Sequence, residues 1–314
     1  MDQTQININC LLCKKNNPVV IDTLSVPLLL QTYKRTLQTH IETHGIDFIN
    51  LYICKHCGLK FFHPILTGSE NFYESLQRFS WYYLEEKQEY FVSSQYILPT
   101  DQVLEVGAGR GIFATKIHCK SYVGLEFSLA AVQMAKEQGV QLYQQSIEEH
   151  SAQYPASYDV VCSFQVLEHV ANIYGFIEGS IRSLKPGGKL IISVPNDNTY
   201  IGLQADNILN MPPHHISRWT DDCLSYIANV FPLRLIATYH DEMSEREVLP
   251  YARCLMHNGI REIIGRPYHR LDPLFQKLPL RVLVRFLSVF PRFALRNPHL
   301  RPLGHSVTAI YQKL

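Results

Sequence analysis

From residue 100 onward the chain alternates short apolar runs with longer, polar-interrupted stretches, the pattern of buried strands separated by helices. Val103-Leu-Glu-Val106, Tyr122-Val-Gly-Leu125 and Ser157-Tyr-Asp-Val-Val-Cys-Ser-Phe164 read as strands ending in turn chemistry, and Gln141-Leu-Tyr-Gln-Gln-Ser-Ile147 as a more polar third strand between the last two. A Lys-Pro-Gly-Gly break introduces a fifth, which runs to Asn196; Leu233–Tyr239 supplies a sixth and Ser306–Leu314 a seventh. The stretch between the last two is too long for a bare loop and predicts helices.

The first of these strands runs into Val103-Leu-Glu-Val-Gly-Ala-Gly-Arg-Gly111, whose glycines are spaced Gly107-x-Gly109-x-Gly111. A dinucleotide fingerprint is Gly-x-Gly-x-x-Gly, its last glycine serving helix packing after the phosphate turn. The shorter spacing favours S-adenosylmethionine over NAD. That cofactor has no pyrophosphate to seat on a helix N-terminus, and instead offers an ammonium, a sulfonium and a ribose, which call for a Cβ-free turn with carboxylates nearby. Glu105 can face the ammonium, directly or through water, and Glu126 ends the second strand where a carboxylate accepts both ribose hydroxyls. Ser146 and the Ile147 backbone end the third strand near an adenine amino group.

Taken together, these segments closely resemble class I S-adenosylmethionine-dependent methyltransferases over about residues 95 to 240 plus the last strand. The resemblance implies an α/β fold, a Rossmann-like seven-stranded mixed sheet with helices on both faces and an antiparallel last strand. It implies that Glu105, Gly107, Ala108, Gly109 and Gly111 hold the methionine part of the cofactor, and Glu126 with Phe127 the ribose and adenine. Ser146 and Ile147 would lie near the adenine, Phe164, Gln165 and Val166 beneath the cofactor, and Arg110 need touch nothing.

Four of the eight cysteines form two Cys-x-x-Cys knuckles, Cys10/Cys13 and Cys54/Cys57. That spacing wraps four thiolates around one tetrahedral zinc, a closed and therefore structural site. Two disulfides are the competing reading, disfavoured in a cytosolic chain. Strand-like segments flank the second knuckle and predict a hairpin there. His44, His56 and His63 read as surface residues, since four thiolates leave no ligand position. Cys119, Cys162, Cys223 and Cys254 read as core fillers. In outline only, the module resembles one that precedes the methyltransferase domain in some enzymes acting on nucleotide-linked sugars or specialised metabolites.

Residues 71–96 are dense in aromatics, read either as packing between module and sheet or as rings closing over the sulfonium. After the fifth strand, Met211-Pro-Pro-His-His-Ile-Ser-Arg-Trp-Thr220 is the acceptor-side signal. Histidine takes a proton from a hydroxyl near neutral pH, so His214 and His215 are candidate bases, with His169 of the Glu168-His169 pair as the third. Trp219 is expected to pin the loop to the core, Arg218 to meet solvent or an acidic acceptor, and Thr220 to cap the next helix.

Between Gln276 and Gly304, basic residues interleave with Leu, Val and Phe, with no Asp or Glu. Three readings stay open: a solvated basic face, peripheral membrane contact, or a site for a phosphorylated or nucleotide-linked acceptor. The expected organisation is a zinc-binding module at 1–68, connecting helices at 69–98, a cofactor domain at 99–242 plus 305–314, and a helical insertion at 243–304. A net charge of +1 over 314 residues gives no steering toward nucleic acid, and no specific nucleic-acid partner is expected. The first thirty residues lack a signal-peptide pattern and no apolar run has transmembrane length, so a cytoplasmic protein is expected. The expected function is methyl transfer from S-adenosylmethionine to a small-molecule or glycan-precursor acceptor, with oxygen preferred. Carbon methylation of a nucleotide-linked sugar and a non-catalytic assembly or regulatory role are the alternatives.

Overall fold

The computed structural model describes residues 8–39, 41–43, 45–77, 79 and 86–314. His44 and the aromatics Trp81, Tyr82 and Tyr83 lie outside them. Among the described residues the strands are β1 (Val19–Ser25), β2 (Phe48–Ile53), β3 (Lys60–His63), β4 (Gln102–Val106), β5 (Ser121–Leu125), β6 (Leu142–Tyr143), β7 (Tyr158–Phe164), β8 (Leu184–Pro195), β9 (Ser217–Arg218), β10 (Leu233–Glu242) and β11 (Leu303–Lys313). The α-helices are α1 (Val26–Leu37), α2 (Glu70–Gln77), α3 (Gln88–Ser94), α4 (Leu129–Glu137), α5 (Ile147–Gln153), α6 (Ile173–Ser183), α7 (Tyr200–Leu203), α8 (Asp221–Val230), α9 (Glu245–Ile263), α10 (Leu278–Leu287) and α11 (Val289–Ala294).

A seven-stranded sheet runs in the order β10-β11-β8-β7-β4-β5-β6. β11 is antiparallel to both neighbours and the pairs from β8 to β6 are parallel, so the sheet is mixed as expected. Its central strands are apolar on both faces because helices cover both. β4 lies between β5 and β7, so the chain passes to one side of β4 first and returns on the other. The carboxyl ends of β4 and β7 therefore flank a topological switch point, where open α/β sheets bind ligands. The third strand is shorter than the sequence suggests. Ser146 and Glu149 form a reciprocal capping box that starts α5, which takes those residues from the strand.

The second sheet is antiparallel, in the order β1-β2-β3-β9. Its β2–β3 hairpin brackets the second cysteine knuckle, as expected. Its last strand comes from elsewhere in the chain: Lys60 pairs with Arg218 and Phe61 with Ser217, so the loop after β8 completes the N-terminal sheet. The core is shared too, since Cys10, Leu12, Leu59 and Phe61 pack in one cluster with Trp219, Cys223 and Leu224. Trp219 is fully buried and its indole N–H donates to Ser217 Oγ at 3.1 Å. Thr220 caps α8 by accepting from the Cys223 N–H. The segment between β10 and β11 is helical, with α9 resting on α7 and carrying α10 and α11. No helix among the described residues is long and apolar enough to cross a membrane.

Candidate active site

The glycine loop leaves β4 and folds back onto the end of β5. Gly107 and Ala108 donate to the Leu125 carbonyl at 2.8 and 2.9 Å. Gly107 has φ +75°, and a Cβ there would lie 2.4 Å from Val166 Cγ2, so the loop and the turn after β7 meet at a distance only glycine permits. The Gly109 N–H donates to Glu126 Oε2 at 2.8 Å and the Ser128 N–H to Oε1 at 2.9 Å. Each oxygen keeps acceptor capacity, so this carboxylate can serve two hydroxyls at the mouth of the crevice. Gly111, also at positive φ, opens the short 3₁₀ turn that follows.

Glu105 is fully buried and accepts from the Tyr122 hydroxyl. Burial pushes its carboxyl up to about 8. A buried acid of this kind is suited to a cationic partner, which would return it to the ionised form. The Phe127 ring is 68 % exposed beside the loop. These features fit S-adenosylmethionine: a carboxyl for its ammonium, bare backbone, a carboxylate for its ribose and an uncovered ring.

The remaining expected cofactor residues divide. Val166 closes on Gly107, and Gln165 adopts φ +58°, with its amide held by Ser306 Oγ at 3.1 Å. Phe164 points instead into the core, edge-on to Tyr90 at 5.0 Å and Phe113 at 4.7 Å. The Ser146 hydroxyl accepts from the Glu149 N–H, its own N–H donates to Glu149 Oε2 at 3.1 Å, its carbonyl accepts from the His150 N–H, and the Ile147 side chain is buried.

The histidines come together. Leu167–His169 forms a 3₁₀ turn directly after β7, and the loop through 216 is stitched to it. The Ile216 N–H donates to the Glu168 carbonyl at 2.9 Å, and His169 Nδ1–H donates to the His214 carbonyl. The His169 ring lies edge-on to His214 at 4.6 Å and to His215 at 4.8 Å, while His214 and His215 stack at 4.6 Å. Tyr73 of α2 meets His169 edge-on at 5.8 Å, and Phe72 and Tyr73 both lie 6.2 Å from His214, so two rings of the aromatic stretch border the cluster.

Hydrogen bonds set the tautomers. His214 Nδ1–H donates to the Leu209 carbonyl at 2.7 Å, so His169 and His214 both carry their basic lone pair on Nε2. His215 differs. The Arg218 guanidinium requires the Asn210 amide oxygen, 3.0 Å from both its terminal nitrogens, so the amide N–H donates to His215 Nδ1 and the His215 proton sits on Nε2. His215 Nε2 lies 3.9 Å from Glu168 Oε1. The ring nitrogens lie within 4.8 Å of one another, close enough for a shared cation, yet this tautomer turns an N–H rather than a lone pair to the centre.

Burial keeps all three rings neutral: it pushes His169 down to about 4 and His214 to about 3, and it holds His215 well below the ordinary imidazole range, with neighbouring His214 adding to the effect. Glu168 is buried, and burial raises it to about 8; one of its oxygens has no hydrogen-bond partner among the described residues. Sequence order put the loop histidines first. His169 is the more accessible, with 20 % of its side chain exposed.

Arg218 meets neither solvent nor an open acceptor position. It is buried, with Nε donating to Asp197 Oδ1 at 2.7 Å, and Lys60 adds a second cation to that carboxylate at 2.6 Å. The three lie on β9, after β8 and on β3, so sequence distance hid the network; Asp197 beside the Pro195-Asn196 strand end was the one visible signal. His305, paired with Glu247 at 2.9 Å, was hidden in the same way.

The four knuckle cysteines converge. Cys10 and Cys57 Sγ are 3.5 Å apart, as are Cys13 and Cys54, all as free thiols. The edge of a tetrahedron with bonds of ~2.3 Å is about 3.8 Å, so the set is built for one metal ion. Both knuckles have the same turn: the Lys14 N–H donates to the Cys10 carbonyl and the Gly58 N–H to that of Cys54. His56 is exposed and His63 is on β3, away from the thiol set.

Fold, glycine loop and paired carboxylates define a class I S-adenosylmethionine-dependent methyltransferase. The methyltransferase-domain family matches residues 76–238, and the chain belongs to that family. Among its relatives is a ubiquinone biosynthesis O-methyltransferase of Klebsiella pneumoniae, 36 % identical over 190 residues that cover 57 % of this chain and 70 % of that protein. The corresponding enzyme of Cronobacter sakazakii is 30 % identical with the same coverage.

Proposed function

We propose that this methyltransferase acts on a hydroxyl of a small molecule, in the class of ubiquinone precursors or glycan precursors, with His169 as the proton acceptor. The observation that carries this reading is a neutral imidazole, partly accessible and with its lone pair on Nε2, at the switch point beside the glycine loop. The relatives are O-methyltransferases, which supports oxygen as the acceptor atom.

When bound, the cofactor supplies a methyl group on a cationic sulfur, open to in-line displacement. Glu105 and the backbone of Gly107 to Gly111 would hold its amino-acid end, and Glu126 its ribose. Phe127 with the Ser146 and Ile147 backbone would border the adenine, above Gln165 and Val166. The chain's work is then alignment and proton removal. His169 Nε2 takes the hydroxyl proton, His214 is the second base candidate, and Glu168 and Tyr73 hold the rings in place. The cysteine set holds zinc as a structural ion, and free thiols suit a reducing compartment such as the cytoplasm.

The cysteine module favours a second reading, carbon methylation of a nucleotide-linked sugar, through its outline likeness to modules of such enzymes. Incubating purified protein with a labelled methyl donor and phenolic, polyketide and sugar acceptors, with product mass and position determined, separates the two. Methyl on oxygen, lost in H169A, is expected. Methyl on carbon establishes the second reading, and transfer undiminished in both H169A and H214A removes the base assignment.

A further inference from the structure

The helical insertion follows the family match, which ends at residue 238, and nothing in the methyl-transfer site uses its outer surface. α10 and α11 run almost end to end, together about 25 Å long at ~1.5 Å per residue. Val284, Ser288 and Leu295 face inward and are buried. Outward, Leu278, Val282, Phe286, Phe290 and Phe293 follow one another at helical spacing, and the three phenylalanines are 68, 69 and 70 % exposed. So many large apolar groups on one face exceed what a solvated surface carries.

A second stripe runs beside the first. Lys277, Arg281, Arg285, Arg292 and Arg296 each lie within one turn of an apolar member, and no Asp or Glu occurs anywhere after Asp272. Arg281 and Arg285 also line a cavity of about 220 Å³ between α10, α9 and α1, with Arg35 and Arg253 on its other walls and Asp206 its one carboxylate. None of Arg253, Arg281 and Arg285 has an ion-pair partner among the described residues. Guanidiniums gathered this way repel one another and fit an anion with several acceptor oxygens.

We propose that this face docks on an anionic lipid bilayer: the apolar stripe enters the boundary between headgroups and acyl chains, and the flanking arginines hold lipid phosphates. An amphipathic helix with cations on its polar side and phenylalanine on the other is suited to lie in that interface. A second copy of the chain is a poor occupant, because a two-fold contact would set five cations against five. Nucleic acid would match the charge and leave the phenylalanines in water.

The test is co-sedimentation of the full-length protein with vesicles of phosphatidylcholine alone and of phosphatidylcholine mixed with phosphatidylglycerol. At least tenfold stronger partition to the anionic vesicles is expected, weakening as salt is raised. F286S/F290S should reduce it at least tenfold, and each arginine removed, R285A or R292A, about fivefold. All four positions are exposed, so thermal melts should match wild type. Should the double serine variant unfold, F290W gives an independent reading, its emission shifting to the blue on anionic vesicles only. Equal partition to both vesicle types, or unshifted F290W emission, overturns the proposal. So does saturable binding of inorganic phosphate without vesicle binding, or a dimer in sedimentation velocity that F290S dissociates while vesicles have no effect.

Discussion

Glu105 is an acid placed where water does not reach, and its protonation reports what lies next to it. With burial holding it at about 8, it carries a proton at pH 7 until a cation arrives. Donor binding at pH 7 should therefore release close to one proton, seen in calorimetry as a dependence of the apparent enthalpy on the buffer's ionisation heat. E105Q should abolish that dependence and weaken binding; an unchanged dependence would place the ammonium elsewhere. At the acceptor side, H169A should lower turnover by roughly 10²–10⁴-fold with donor affinity nearly unchanged. Because His169 is held near 4, its base form persists through neutral pH and is lost only as pH falls through about 4. The rate profile of the wild type should consequently show no His169 limb near 6.5. H215A should act mainly on stability, since that ring's Nε2 lies 3.9 Å from Glu168 Oε1 and its Nδ1 is taken by Asn210.

The elements couple sites that look separate along the chain. β9 is the two-residue strand that the loop after β8 lends to the N-terminal sheet, and His214 and His215 lie just before it. The cysteine cluster closes the β2–β3 hairpin against which β9 pairs. One zinc per chain is expected by elemental analysis. C54S or chelation should lower turnover by loosening the histidine loop while leaving donor binding largely intact, because metal affinity in such modules is folding free energy. A chelated protein with full turnover would uncouple the two. The glycine loop gives a sharper test. G107A meets Val166 at 2.4 Å and should reduce donor affinity; V166A added to it should restore part of the loss. The residual deficit measures the positive φ, costing about 1–2 kcal/mol.

For the whole molecule, the two raised carboxyls set a direction for stability against pH. Glu105 and Glu168 both sit at about 8 in the folded chain, above the ordinary value of ~4.3 they take when unfolded. The folded state thus binds more protons between those values, so stability is greatest below the unfolded value and is lost as pH rises through 8. The melting midpoint of the cofactor-free protein should fall between pH 6 and pH 9. E105Q and E168Q should each flatten that fall, and so should saturating donor, which gives Glu105 its cation. A midpoint rising over the same range would refute the burial assigned to both groups.

Local chemistry alone determined the parts of this protein whose requirements are local. The apolar runs specify their strands because a strand buried on both faces has no polar positions to spare, and the glycine-rich turn after β4 was legible because its backbone must pass bare against Val166 at Gly107 and Val140 at Gly111. The four knuckle cysteines were legible because tetrahedral ligation dictates their spacing, and Thr220 because a cap is a local bond. Tertiary structure decided whatever depends on partners far along the chain. It left His169 more exposed than His214, set the His215 tautomer through Asn210 and Arg218, and took Arg218 into the buried pair with Asp197. It turned Phe164 into the core and joined the cysteine module to the histidine-bearing loop through β9. Burial, charge pairing and proton position are properties of the space around a side chain, and that space is assembled from residues the local sequence does not contain.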